Sequence, residues 1–225
     1  MNGVLHSIGP SAFLWPVGIL GIIALAIALE RFFFLRFRAT VATDDFLAEV
    51  QKLVLSGTID PAIRLCLGQP QAPVPNAIRA ALLHADAPRD DLVLAVEQAA
   101  ADAVPKVQLR IGFLATIANV ATLLGLLGTI VGLMQSFDAV SHAEPAQRQA
   151  LLAGGIALAM RTTAGGITVA IPCLLAYSYL AQRANAILDD VDRAGMRLVM
   201  LLVSRRKGPE LDEVTEEKVA LDGGG

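Results

Sequence analysis

Charge is scarce in this sequence. Only 17% of its 225 residues are Asp, Glu, Lys or Arg, against about a quarter in a soluble globular domain. Aromatics reach 5%, and there are two cysteines, Cys66 and Cys173, and three histidines, His6, His84 and His142. The cysteines are isolated thiols, one in a polar loop and one deep in an apolar block, so they form no disulfide framework. The histidines are scattered through loops and share no spacing with cysteine that would hold a metal. The sequence has no phosphate-binding glycine loop, no dinucleotide fingerprint and no nucleophile–base arrangement. These absences speak against an enzyme, and the expectation is no enzymatic activity, no cofactor and no metal. No basic patch interleaved with aromatics occurs, which removes nucleic acid as a partner.

What is there is apolar and segregated. Mean hydropathy is +0.58 and 55% of residues are hydrophobic. Three blocks, 11–29, 111–137 and 151–181, each match the roughly 20 residues that cross a bilayer core. The chain is therefore read as an all-α membrane protein with three transmembrane helices. No basic residue precedes the first block and no small-residue cleavage site follows it, so that block is expected to be a retained helix rather than a signal peptide.

Orientation follows from where Lys and Arg lie. Residues 31–110 carry nine of them and the segment after 181 carries seven, whereas the loop between the second and third blocks holds only Arg148. This one-sided bias places the N-terminus outside and the large loop and tail in the cytoplasm. Glu30 and Arg31 stand at the membrane edge, with Phe32, Phe33, Phe34 and Phe37 as an interfacial belt. The expected layout is a periplasmic N-terminus and first span in 1–38, and a cytoplasmic helical loop in 39–110. A second span (111–137), a short periplasmic loop (138–153) and a third span (154–181) follow. A cytoplasmic helix extension (182–207) and a disordered acidic tail (208–225) complete it.

Within the loop, residues 43–57 read as a short amphipathic helix, with Thr43 as its cap and Gly57 past its end. A second helix has Asp60 as its expected cap and Pro61 in its first position. Residues 69–76, QPQAPVPN, read as a Pro-rich linker, and 76–85 as another helical stretch. From residue 88 the apolar positions Leu92, Val96, Ala99, Ala103 and Val107 keep one face, so the second membrane helix begins well inside the cytoplasm. Pro105 would kink or break it. From Asp90 to Phe137 a helix rising about 1.5 Å per residue spans roughly 70 Å, more than a bilayer needs. The third helix extends inward in the same way.

The informative chemistry lies in 118–137, ANVATLLGLLGTIVGLMQSF, and in 154–180, GGIALAMRTTAGGITVAIPCLLAYSYL. In the first, Ala118, Thr122, Gly125, Thr129, Gly132 and Ser136 recur at three- and four-residue steps and form one small, hydroxylated stripe. In the second, Gly155, Ala159, Thr162 or Thr163, Gly166 and Ala170 do the same. Matching small stripes let two membrane helices approach backbone to backbone, and the short loop between them predicts an antiparallel pair. The threonines either bond the carbonyl one turn back or jointly offer a weakly polar track. Hydroxyls do not titrate near neutral pH and cannot store a proton; they could hydrogen-bond water, or a carboxylate supplied by another chain. Arg161 is the one charge inside the two later blocks. It either snorkels to the outer surface or pairs with a carboxylate inside an assembly.

These stretches resemble the MotA/TolQ/ExbB proton-channel family, and within it ExbB and TolQ most. The resemblance is carried by the ER pair after the first block, the LLGLLGT-x-x-G core and the TTA-x-G-x-x-x-AIP element. It implies a homopentamer around a central pore in the bacterial inner membrane. The pore would enclose the membrane helices of an ExbD/TolR-like single-helix partner bearing an essential Asp, whose protonation drives rotation. The motion would energise a TonB- or TolA-like periplasm-spanning protein. By motif, Thr129 and Thr163 correspond to pore-facing threonines, with Thr122 and Thr162 beside them on the ion path. Gly125, Gly132, Gly155 and Gly166 are helix-packing positions. Two departures are visible. Thr122 stands where the family often has Pro, and Leu158 where ExbB and TolQ usually have Glu, with Arg161 one turn on. A stator-type subunit of another surface system, a solute channel and a passive scaffold are the alternatives.

Overall fold

The computed structural model describes residues 14–39 and 43–222, with side chains described except at 38 and from 207 onward. Every element among the described residues is helical. α1 is Leu14–Phe33, followed by a π-helical turn, Phe34–Arg38. α2 is Thr43–Leu55, α3 Ile59–Leu67, α4 Pro73–Leu83 and α5 Arg89–Gln108. α6 is Ile111–Ser141 and α7 is Pro145–Asp222. The stretches Leu14–Phe37, Arg89–Ser141 and Pro145–Arg206 are long and apolar enough to cross a membrane. This is an all-α membrane protein with three candidate spans, two of them in long helical stretches. The expected periplasmic loop narrows to three residues between α6 and α7. α7 takes in 208–222, where the sequence predicts disorder; residues 1–13 and 223–225 lie outside the described residues.

The chain divides into two compact units. The first holds residues 1–32 and 109–182, and its described part is α1, α6 and the first half of α7. α6 and α7 run antiparallel: Ser136 lies against Gly155, Thr129 against Thr163 and Ala121 against Gly166. α1 runs parallel to α7, with Leu14 beside Gly165, Val169 beside Gly21 and Phe32 stacked on Tyr179.

The second unit holds residues 33–108 and 183–225. Its core joins Phe46, Leu47, Val50 and Val54 of α2, which share one helical face, to Ile78 of α4, Leu92 and Val96 of α5 and Val191 and Leu198 of α7. Local chemistry explains the ends. Gly57 closes α2 with φ +84, a conformation a Cβ would penalise. The cap of α3 is Thr58 rather than the expected Asp60, yet its hydroxyl donates to the Leu53 carbonyl and caps nothing. Asp60 instead sits in the first turn, where its charge favours the helix dipole. The expected linker is partly helix: Pro73 and Pro75 open α4, where a missing N–H costs no helical hydrogen bond.

The second stretch is not one continuous helix. α5 passes through Pro105 and breaks later, at Leu109 and Arg110. Arg110 has φ 61, the only non-glycine residue with positive φ among those described.

Candidate functional site

The site begins with a close helix crossing. Gly125 and Gly128 of α6 and Ala159, Thr162 and Gly166 of α7 are all buried. A Cβ on Gly166 would fall 2.6 Å from the Ala121 carbonyl oxygen, and one on Gly125 3.1 Å from the Thr162 carbonyl oxygen. The helices meet there through backbone, as small-residue stripes allow. Gly128 leaves a notch that the Thr162 side chain fills, because a Cβ at 128 would stand 2.8 Å from Thr162 Oγ1. Further out, Gly155 leaves room for Ser136, whose hydroxyl donates to the Gly132 carbonyl at 2.6 Å.

Three hydroxyls converge at this crossing. Thr129, half-buried, lies within hydrogen-bond reach of the Gly125 carbonyl at 3.2 Å and the Ala159 carbonyl at 3.3 Å. Thr163, also half-buried, reaches the Gly125 carbonyl at 3.1 Å and shares a hydroxyl–hydroxyl bond with Thr129. Thr162, 1% exposed, donates to the Ala159 carbonyl at 2.7 Å and reaches the Gly125 carbonyl at 3.3 Å. The cluster is rich in hydrogen-bonding oxygen and holds nothing that titrates near neutral pH.

The sequence-derived residues fall into three groups. Thr129, Thr162 and Thr163 come together, with Gly125 and Gly166 as the contact that permits it. Gly155 belongs to the same interface nearer the α6–α7 loop, against Ser136, and Gly132 is buried one turn before Ser136 on α6. Thr122 stands apart: it is exposed, and its hydroxyl donates to the Ala118 carbonyl one turn back, at 3.0 Å. Arg161 is exposed and has no ion-pair partner among the described residues. It lies two residues from Thr163, about 200° around the helix, so it does not share the face on which the threonines meet.

Two features lay beyond sequence reasoning. Gly128, the second glycine of LLGLLGT, forms the notch for Thr162; its three-residue spacing from Gly125 was the available signal. The Arg110 guanidinium donates to both carboxylate oxygens of Glu30, at 2.9 and 3.1 Å, and Arg31, next to Glu30, is 4% exposed. The polar edge of the span is thus a joined cluster. Nothing in the local sequence marks Arg110 as left-handed.

The family model described as MotA/TolQ/ExbB proton channel family matches residues 69–193, more than half of the chain. A putative biopolymer transport protein ExbB homolog from Methanothermobacter thermautotrophicus is 32% identical over 79% of this chain and 61% of its own length. The Tol-Pal system protein TolQ of Haemophilus influenzae is 47% identical over 36% of this chain and 35% of its own. The biopolymer transport protein ExbB of Pseudomonas putida is 37% identical over 48% of this chain and 31% of its own. The chain thus spans between about a third and three-fifths of the length of these relatives. The matched region contains α4, α5, α6 and the threonine cluster, and on that footing the chain belongs to the MotA/TolQ/ExbB proton channel family.

Proposed function

We propose that this chain is the channel and motor subunit of a proton-driven complex in the bacterial inner membrane. Several copies, five by family resemblance, surround a pore that admits a membrane helix from an ExbD/TolR-like partner. An Asp on that helix meets Thr129 and Thr163. Its protonation and release turn the partner against the ring, and the work passes to a TonB- or TolA-like protein. The Lys and Arg distribution supports a topology with the N-terminus outside.

One observation carries this reading. The Thr129–Thr163 pair sits within spans that lack any carboxylate, since 14–29, 111–137 and 154–181 contain no Asp or Glu. A site able to hydrogen-bond a carboxyl group but not to hold a proton itself suits an acid supplied by another chain. Thr122 lies two turns along α6 from Thr129 and extends the weakly polar face.

Thr129→Val together with Thr163→Val tests it, because Val keeps the shape and removes the hydroxyls. Proton uptake by proteoliposomes holding the complex should fall about tenfold or more, the scale of losing hydrogen bonds to a charged group, while particle size stays unchanged. Uptake equal to wild type would show that the proton path does not run through this pair and would overturn the reading.

A further inference from the structure

At the crossing, hydroxyl donors outnumber the carbonyl sites open to them, and Thr162 decides which are left over. The Gly125 and Ala159 carbonyls each accept the N–H four residues on in their own helix, which leaves each one lone pair. Around Gly125 O stand the hydroxyls of Thr163 at 3.1 Å, Thr129 at 3.2 Å and Thr162 at 3.3 Å. Around Ala159 O stand Thr162 at 2.7 Å and Thr129 at 3.3 Å. Two open carbonyl sites therefore face three hydroxyl protons. Thr162 has the shortest bond and takes Ala159 O. Gly125 O then receives a proton from Thr129 or Thr163, and the last proton lies between those two hydroxyls, donated by either.

We infer that Thr162 is a positioning residue: by occupying the Ala159 carbonyl, it keeps one proton of the Thr129–Thr163 pair off any carbonyl and available to an incoming carboxylate. This rests on the reading that a partner's carboxyl group meets that pair. With Thr162 in place, the pair redirects its shared proton to an ionised carboxylate and loses only a hydroxyl–hydroxyl bond. It presents a free lone pair when the carboxyl is protonated. Without the Thr162 hydroxyl, Thr129 turns to Ala159 O and Thr163 to Gly125 O. Both protons are then committed, and a carboxylate finds no donor without breaking a carbonyl bond. Thr162 is buried and acts only through its neighbours. Few titratable groups surround the cluster. α1 has none between Leu14 and Leu29, and α6 none between Ile111 and Phe137. α7 brings Arg161, on a different face, with Cys173, Tyr177 and Tyr179 further along.

The test is Thr162→Val in the complex as purified with its acid-bearing partner, reconstituted in proteoliposomes. Proton uptake is followed across pH with an entrapped dye. The midpoint at which the carboxyl releases its proton is expected to move up by about one pH unit, a tenfold weaker hold on the ionised form. Particle size should not change, and Thr162→Ser, which keeps the hydroxyl, should restore the wild-type midpoint. Should the Val variant fail to assemble, Thr162→Ala removes the same hydroxyl and is read the same way. A wild-type midpoint in the hydroxyl-free variant, or a Ser variant shifted as far, overturns the inference. Thr163→Val measured alongside separates the two readings. If it leaves uptake intact, the pair is off the proton path and both fall. If it abolishes uptake while Thr162→Val matches wild type, only the role of Thr162 falls.

Discussion

Gly125 and Gly166 meet backbone to backbone: a Cβ on Gly166 would stand 3.1 Å from the Gly125 Cα. Neither helix can yield by turning a side chain, because the obstacles are main-chain atoms. Gly166→Ala is therefore expected to push α6 and α7 apart and cost about 1–3 kcal/mol, the usual range for overpacking. Thermal unfolding in detergent would register the loss. Gly154→Ala serves as the control, since a Cβ there meets nothing within 4 Å. Equal midpoints for the two variants would show that the two backbones are not in contact at this crossing.

Arg110 combines a cost and a benefit. Its left-handed backbone costs a non-glycine residue about 1–2 kcal/mol. Its ion pair with Glu30 is half-exposed, 51% and 49% for the two side chains, so solvent limits it to about 0–1 kcal/mol. Arg110→Gly removes both terms and adds the backbone freedom of glycine, about 0.5–1 kcal/mol, so it should fall within about 1 kcal/mol of wild type. Arg110→Val loses the pair and keeps a β-branched residue at positive φ, so it should be clearly less stable. Denaturant titration of the two variants compares them directly. A Gly variant as damaged as the Val variant would mean that the ion pair, not the backbone, dominates.

Much of this architecture was legible because lipid simplifies the code. Long uncharged blocks have one reading, and the described part of each lies in a helix long and apolar enough to cross a membrane. The small stripes were legible for the same reason, since Gly125, Gly132, Gly166 and Ala170 recur at helical steps. Periodicity fails at finer resolution. Thr162 and Thr163 are adjacent, about 100° apart on the helix, so both border any stripe; only the notch at Gly128 decides which one is buried. Pro73 and Pro75 look like a linker because proline serves helix starts and extended segments alike. The break after α5 falls at Arg110 rather than Pro105 because an internal proline removes one hydrogen bond but does not force the chain out of the helix. Packing of α1 on α7 through Gly21 and Gly165 went unread, since glycines on an apolar helix do not name their neighbour.

A second close approach lies in the other unit. A Cβ on Gly195 would collide with Val96 Cγ1 of α5. Val is stiff about χ1 and cannot swing clear. Gly195→Ala should destabilise by about 1–3 kcal/mol. Combining it with Val96→Ala should recover part of that loss, because the second change vacates the space the first requires. A double-mutant cycle read by thermal denaturation gives the coupling. Strict additivity would show that the two residues do not share this space.

Cys66 offers a pH-dependent readout of the same unit. Its side chain is 1% exposed, and burial pushes the thiol from its ordinary 9.0 up to about 11, with the positive charge of Arg79 pulling weakly the other way. The folded state holds the thiol proton more tightly than the unfolded chain does. Its contribution to stability is thus fully present below about pH 9 and is lost as pH rises through about 11. Unfolding free energy should decline across that window, and Cys66→Ala should flatten this component while lowering the baseline through lost packing. The same shift makes the native thiol inert: at about pH 8 only about one in a thousand is ionised, so maleimide should label Cys66 far more slowly in the native protein than after denaturation. Rapid native labelling at Cys66 would show that the core formed by α2, α4 and α5 opens readily.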